Sequence, residues 1–275
     1  MEKKLSKYEK EVCNYFADKA EEYDYVENQT YWQLSDKLLW TLIKEQLDKL
    51  KSTFAFLDAG GGTGRWSKMI LKNYPYAKGT LVDLSKDMLI QAKKKNTFGE
   101  RWKILNGDLQ NLEFEDNAFD LVLNTHNVLG FVEGTGKALD EMSRVLKEKG
   151  ILISVVPNKH HATFFNVFLK NLEGAKNISK YNRGKFVDNM PEMNMFSPRI
   201  IKELYSKAGL KECFCWGFPI YIYPGYQETQ LQGESKQVKD ILLDNLEEIY
   251  RLENSVIRDE DLSSRGNNLF VVGIK

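Results

Sequence analysis

The sequence predicts a parallel α/β sheet covered by helices on both faces. Three observations predict it. Short apolar runs alternate with helical stretches from residue 53 to residue 158. The runs are apolar almost throughout, as strands buried on both faces are. The first run ends in a glycine-rich turn, "DAGGGTGRW" (58–66), that reopens as a helix.

Each element follows in order. "KYEKEVCNYFADKAEEYDYV" places Val12, Tyr15, Phe16 and Ala20 on one helical face. "YWQLSDKLLWTLIKEQLDKL" repeats Leu34, Leu38, Leu39, Leu42 and Ile43 at helical spacing. Residues 1–50 therefore read as a cap of two helices. "TFAFLD" (53–58) is a strand and "RWSKMILKNY" (65–74) a helix. "GTLVD" (79–83) is a strand, and "SKDMLIQAKKK" (85–95) a helix that Ser85 caps. "WKILNGD" (102–108) and "FDLVLN" (119–124) are strands. "GKALDEMSRVLKEKG" (136–150) is an amphipathic helix that Gly150 ends. "ILISVVPN" (151–158) is a strand stopped by Pro157.

After Pro157 the rhythm breaks. Residues 158–196 are aromatic-rich, contain no obvious sheet strand and read as an inserted helical cap. "SPRIIKELYSKAGL" (197–210) is a helix with Ser197 at its N-cap and Pro198 in its first turn. "KECFCWGFPIYIYP" (211–224) is strand-like, 234–257 is one more helix, and "NNLFVVGIK" (267–275) is a closing strand. We expect a single domain: a cap over 1–50, a core over 51–157, the insert, and the rest of the sheet over 197–275.

Composition narrows the function. Lys+Arg and Asp+Glu number 39 each, so the basic excess usual in a nucleic-acid binder is missing. Cys13, Cys213 and Cys215 make an odd count that reads as reduced thiols in a cytoplasmic protein, without zinc spacing. "MEKKLSKYEKEV" lacks the apolar core of a signal peptide, and no run approaches the roughly 20 apolar residues of a membrane span.

Three ligands compete for the glycine turn. A P-loop needs a lysine that "GGGTGRW" lacks, and "GTGKA" (134–138) fails at Phe131 and Ala138. A dinucleotide prefers a third glycine where Arg65 stands. S-adenosylmethionine (SAM) suits acid-x-G-x-G-x-G, which Asp58, Gly60, Gly62 and Gly64 supply. Later acids strengthen that choice. Asp83 ends the second strand, where a carboxylate accepts from ribose hydroxyls. Asp108 ends the third, in reach of an adenine amino group, with Leu84, Met88 and Leu109 to wall the ring. Asn124, Thr125, His126 and Asn127 end the fourth.

Together "LDAGGGTG", "LVDLSKDML", "NGDLQNL" and "DNAFDLVLNTHNVLGFV" resemble the motifs of the class I SAM-dependent methyltransferase superfamily, in its small-molecule branch. "RVLKEKGILIS" is similar to the family's "RVLKPGG", with Glu148 and Lys149 in place of Pro-Gly. The resemblance spans residues 50–157. It implies a Rossmann-like, doubly wound seven-stranded sheet of order 3-2-1-4-5-7-6 with its last strand antiparallel. It also implies SAM as cofactor and S-adenosylhomocysteine (SAH) as product, with an N-terminal segment folded over the cofactor.

The chemistry needs little more than alignment, and no metal. His126 is the candidate general base; its alternative is a hydrogen-bonded, pocket-shaping imidazole. His160 and His161 read as a solvated loop pair. Tyr15 and Tyr23 offer ring faces to a sulfonium, or core packing. Arg65 pairs with the cofactor's methionine carboxylate, or is a solvated first-turn residue. Trp66 and Phe131 read as core or pocket wall, and Lys93–Lys95 as a solvated helix end. The insert's aromatics roof a small-molecule pocket more readily than they stack on bases. Two rivals share the motifs: intramolecular alkylation of SAM's own side chain, and a non-catalytic SAM-binding regulator, which would expose a large apolar patch.

Overall fold

The computed structural model describes residues 5–275; the first four residues of the charged N-terminal stretch lie outside the described residues. Seven strands form one sheet: β1 Ala55–Ala59, β2 Lys78–Asp83, β3 Trp102–Asn106, β4 Phe119–Asn124, β5 Leu146–Pro157, β6 Lys211–Phe218 and β7 Asn268–Ile274. Their order is β3-β2-β1-β4-β5-β7-β6. The first five run parallel, and β7 is antiparallel to both β5 and β6. This is the order that the family resemblance implies.

Side-chain alternation builds a core on each face. Phe56, Leu81, Leu121, Leu123 and Ile153 point to one side. There they meet α2 (Thr30–Leu47), α3 (Arg65–Asn73) and α4 (Lys86–Lys94) through Leu38, Leu42, Ile70 and Leu89. Leu57, Val82, Val122, Leu152 and Val271 point to the other, against α5 (Thr135–Val145) and α8 (Pro198–Lys207). The expected α2 stripe is wholly buried, so α2 is part of the main core rather than a removable lid. In contrast, α1 (Lys7–Ala17) packs on a third, smaller cluster with the insert: Val12 and Phe16 against Phe131, Phe165 and Phe186.

Four expectations need correction. The helix α5 ends at Val145, not at Gly150. Leu146 already pairs with Phe119, and an irregular step carries the register to Ile151 opposite Leu121. Lys149, at φ 63°, turns the chain within β5. The insert is helical as expected, with α6 (Lys159–Phe168) and α7 (Leu172–Tyr181), but it also holds strands, a two-residue ribbon of Arg183–Gly184 with Met193–Asn194. The stretch 234–257 is two helices, α10 (Lys236–Leu242) and α11 (Leu246–Val256), after a short α9 (Tyr226–Gln230).

Finally, the 211–224 strand stops at Phe218, before Pro219, which has no N–H for a ladder. The next three N–H groups find a carboxylate instead. Buried Glu253 of α11 accepts from Ile220 (2.7 Å), Tyr221 (2.8 Å) and Ile222 (3.1 Å). One charged side chain thereby satisfies three backbone donors that would otherwise be left without partners.

Candidate active site

The loop after β1 is fixed by backbone geometry. Gly60, Gly62 and Gly64 all have positive φ (78°, 54° and 80°). The Gly60 N–H donates to the Val82 carbonyl at 2.7 Å and the Gly64 N–H to Gly61 at 2.8 Å. At Gly60 a Cβ would sit 2.4 Å from Val128, and at Gly64 2.4 Å from the Trp102 ring. Side chains are excluded there by both conformation and space. Gly60, Gly61 and Gly62 line the resulting cleft, of about 970 Å³.

Asp58 and Asn124 stand behind this loop and do not line the cleft. Asp58 accepts from the Ser67 N–H (3.2 Å) and hydroxyl (2.6 Å), pinning the start of α3. Burial pushes its carboxyl up to about 6. Asn124 donates to the Ala59 carbonyl at 2.6 Å, tying β4 to the end of β1. The Asp58 Oδ1 and Asn124 Oδ1 are buried without hydrogen-bond partners.

The other acids border the cleft directly. Asp83 accepts from Gly62 N–H (2.9 Å) and Ser85 N–H (2.8 Å), one at each oxygen. Each oxygen keeps a lone pair for a further donor. Burial raises its carboxyl above the usual range, opposed by the N–H groups of Ser85, Gly62 and Leu84. Asp108 accepts from Gln110 N–H at 3.0 Å. Leu84, Met88 and Leu109 line the same cleft.

The N-terminal segment closes the cleft from above. Ser6 donates to Glu133 (2.7 Å), and Thr63 donates to Asp24 (2.6 Å). Lys95 also pairs with Asp24, so it is not part of a solvated helix end. Arg65 lines the cleft but is not solvated. Its Nε donates to Glu27 at 2.8 Å, and its Nη2 pairs with Asp36.

His126 (φ 52°) and Asn127 (φ 66°) follow β4 in the left-handed region. Two consecutive non-glycine residues there mark a strained turn of the kind that clusters at functional sites. The imidazole lies between Trp32 and Trp66, with ring centroids 6.4 and 5.7 Å away. Its Nε2 is buried, unpartnered, and 4.0 Å from Asp36 Oδ1. Burial, and then the Arg65 charge, hold it down at about 3, so it is neutral at physiological pH.

A second cavity of about 690 Å³ adjoins the first. Phe16, Tyr23, His126 and Phe131 border both. Tyr15 and Trp32 border only the second, together with Phe186 and Met193 of the insert and Asn268 of β7. His161 is no solvated loop residue. It sits on α6, 4.6 Å from the Tyr223 ring and buried against Phe165, where burial holds it at about 4. Asp36, Glu27 and Trp32 were missed by sequence reasoning. They lie on or beside the amphipathic α2, and nothing in that pattern marks its polar positions as facing a site.

Among the described residues, no group of three or more His, Cys, Asp and Glu could hold a metal, and no helix is long and apolar enough to cross a membrane. The glycine cradle and the Asp83 oxygens fit a nucleoside-bearing cofactor.

Residues 56–150 match the family model described as a methyltransferase domain. The chain is 31% identical over 144 residues to malonyl-[acyl-carrier protein] O-methyltransferase of Legionella pneumophila, covering 52% of this chain and 48% of that one. It is 32% identical over 147 residues to demethylmenaquinone methyltransferase of Staphylococcus aureus, covering 52% and 58%. The chain thus spans about half the length of the curated relatives it matches. The fold is also that of Haemonchus contortus phosphoethanolamine N-methyltransferase 2 in complex with SAM, with a TM-score of 0.61 at 17% identity over 100% of this chain and 61% of that one. Residues 56–150 thus match a methyltransferase domain, set in a sheet and behind a glycine loop of the kind that the resemblance to class I SAM-dependent methyltransferases implies.

Proposed function

We propose that the protein transfers a methyl group from SAM to a small-molecule acceptor, with cofactor in the first cavity and acceptor in the second. The observation that carries this reading is the junction. Phe16, Tyr23, His126 and Phe131 border both cavities, so a group passing between them crosses there. In this division of labour the 51–157 core holds the cofactor, and the flanking segments hold the acceptor.

SAM supplies an electrophilic methyl on a sulfonium; alignment, desolvation and proton removal fall to the protein. Gly60–Gly62 let the backbone approach the ligand, and Asp83 takes the ribose hydroxyls on its two remaining lone pairs. Asp108 faces the adenine edge, between Leu84, Met88 and Leu109. Asp58 and Asn124 act behind the loop, holding its shape. Tyr15 and Tyr23 present ring faces near the junction. Arg65 is engaged by Glu27 and Asp36, so it serves to fasten the cap over the cleft. An imidazole held at about 3 is a weak base, so His126 Nδ1 takes a proton from an O–H or N–H acceptor only once Nε2 closes on the Asp36 carboxylate, which raises its basicity. Cys13, Cys213 and Cys215 form no disulfide, which suits a cytoplasmic setting.

One observation favours the regulatory alternative. Phe164, Val167, Phe168 and Leu172 are at least half exposed on α6 and α7, as an interaction patch would be. Calorimetry with SAH, then incubation with SAM and mass spectrometry of the small molecules, decides. The methyltransferase reading expects one bound SAH, and SAM that persists until a metabolite extract supplies an acceptor. Absence of SAH binding overturns it. Loss of SAM without an acceptor replaces it with intramolecular alkylation, and binding without turnover in any extract replaces it with regulation.

A further inference from the structure

The two cavities differ in charge. The first is bordered by Glu9, Arg65, Asp83, Asp108 and Glu133. The second is bordered by no Asp, Glu, Lys or Arg among the described residues. Its phenols, Tyr15 and Tyr23, are pushed up to about 12 by burial and stay neutral. Its walls are largely aromatic and thioether, with Phe131, Phe186, Met190 and Met193 among the lining. Lys19, beside Tyr15, does not line the cavity; it is engaged by the Gln230 carbonyl and the Tyr15 ring.

A carboxylate or phosphate placed here would lose its hydration with no cation to replace it. An ammonium would meet aromatic faces, but no carboxylate, and would stand beside the sulfonium of the neighbouring cavity. Thr229, Asn267 and Asn268 also line it, Asn267 donating to the Tyr31 hydroxyl, and among its asparagines one oxygen is left unmet. Asn127 lines the cavity, and its Oδ1 is buried with no hydrogen-bond partner. An acceptor atom in that position is satisfied by a ligand O–H or N–H.

We infer that the second cavity takes an uncharged, largely apolar acceptor that offers one O–H or N–H to Asn127. This rests on the methyltransferase reading and names its substrate class. The relatives are named for different acceptors, so the class is drawn from the cavity walls alone.

The test uses three probes of one shape on the full chain saturated with SAH: 1-naphthol, 1-naphthoate and 1-naphthylmethylammonium. Calorimetry reads their binding, with quenching of Trp32 fluorescence as a second signal. We expect 1-naphthol to bind at least about tenfold more tightly than either ion, because neither ion finds a counter-charge. Met190→Lys, at a half-buried wall position, should narrow or reverse the gap for naphthoate. Asn127→Gly tolerates the left-handed backbone and removes the acceptor. It should weaken 1-naphthol about two- to tenfold while leaving naphthalene unchanged. No preference for 1-naphthol over its charged counterparts, including no binding by any of them, overturns the inference. SAH affinity is read in the same experiment: its loss defeats the methyltransferase reading, whereas intact SAH binding with an ionic preference defeats only the acceptor class.

Discussion

His126 Nε2 lies 4.0 Å from Asp36 Oδ1, and both atoms are buried without a hydrogen-bond partner. The Asp36 carboxylate is shared, its other oxygen being held by Arg65. A movement of about 1 Å would make the pair a hydrogen bond, of the kind that tightens when substrate binds. His126→Asn is therefore expected to lower kcat by about 100-fold while SAH affinity stays within about threefold. Asp36→Asn should lower kcat about tenfold, because it acts through the imidazole. Single-turnover rates beside calorimetry check both; a His126→Asn enzyme as fast as the parent would remove the base from the mechanism.

The glycine loop separates folding from binding. Gly64→Ala drives a Cβ to 2.4 Å from Trp102 at φ 80°. A loss of about 2–3 kcal/mol in urea unfolding is expected. Gly62→Ala meets only the Met88 terminal methyl, at 3.1 Å, at φ 54°. Its stability loss should be about 1 kcal/mol, yet the new methyl faces the cleft and should weaken SAH at least tenfold. Equal effects on stability would show that the loop is not packed as described.

Two imidazoles set a pH dependence. His126, near 3, and His161, near 4, both lie below the ordinary 6.5. The unfolded chain takes up these protons below pH 6.5, and the folded chain resists until its own lower values are reached. Stability present above pH 6.5 is therefore lost as the pH falls, by up to about 1.4 kcal/mol per unit for each group. Asp58, raised to about 6, works the other way and adds stability as the pH falls from 6 toward 3.8. Wild type shows the sum, so variants are needed. Between pH 6 and pH 4.5, His126→Asn and His161→Asn should each lose about 1–2 kcal/mol less than wild type. Parallel pH profiles for wild type and variants would contradict this.

The Glu253 carboxylate replaces a missing strand neighbour for residues 220–222. Glu253→Gln keeps the size but removes the charge that strengthens three N–H bonds. It should cost about 1–3 kcal/mol, measured by urea unfolding at pH 7. An unchanged midpoint would mean that water serves those donors equally well.

Much of this was legible in the sequence because strands and helices carry local signals. Ser85 and Ser197 do cap their helices, and the acids after β2 and β3 do face one cleft. What stayed hidden depends on distant partners. Gly150 looks like a helix end, but strand pairing of Leu146 with Phe119 wins over that local preference. No pattern near Asp36 announces Arg65 or His126, which reach it only after α2 folds across the sheet. Glu253 reads as one more acid on an amphipathic helix until Pro219 interrupts β6. His161 reads as polar until four aromatic rings surround it.

The matched segment, 56–150, and the second cavity scarcely overlap. Of the second cavity's lining only His126, Asn127 and Phe131 fall inside that segment; Tyr15, Trp32, Phe186, Leu231 and Asn268 all lie outside it. In the proposed division of labour, the segment matched by the family model and the walls of the second cavity therefore lie in largely separate stretches. Divergence in the flanks can exchange one acceptor for another while the glycine loop and its acids go on unaltered, and grafting a relative's flanks onto this core should transplant its selectivity.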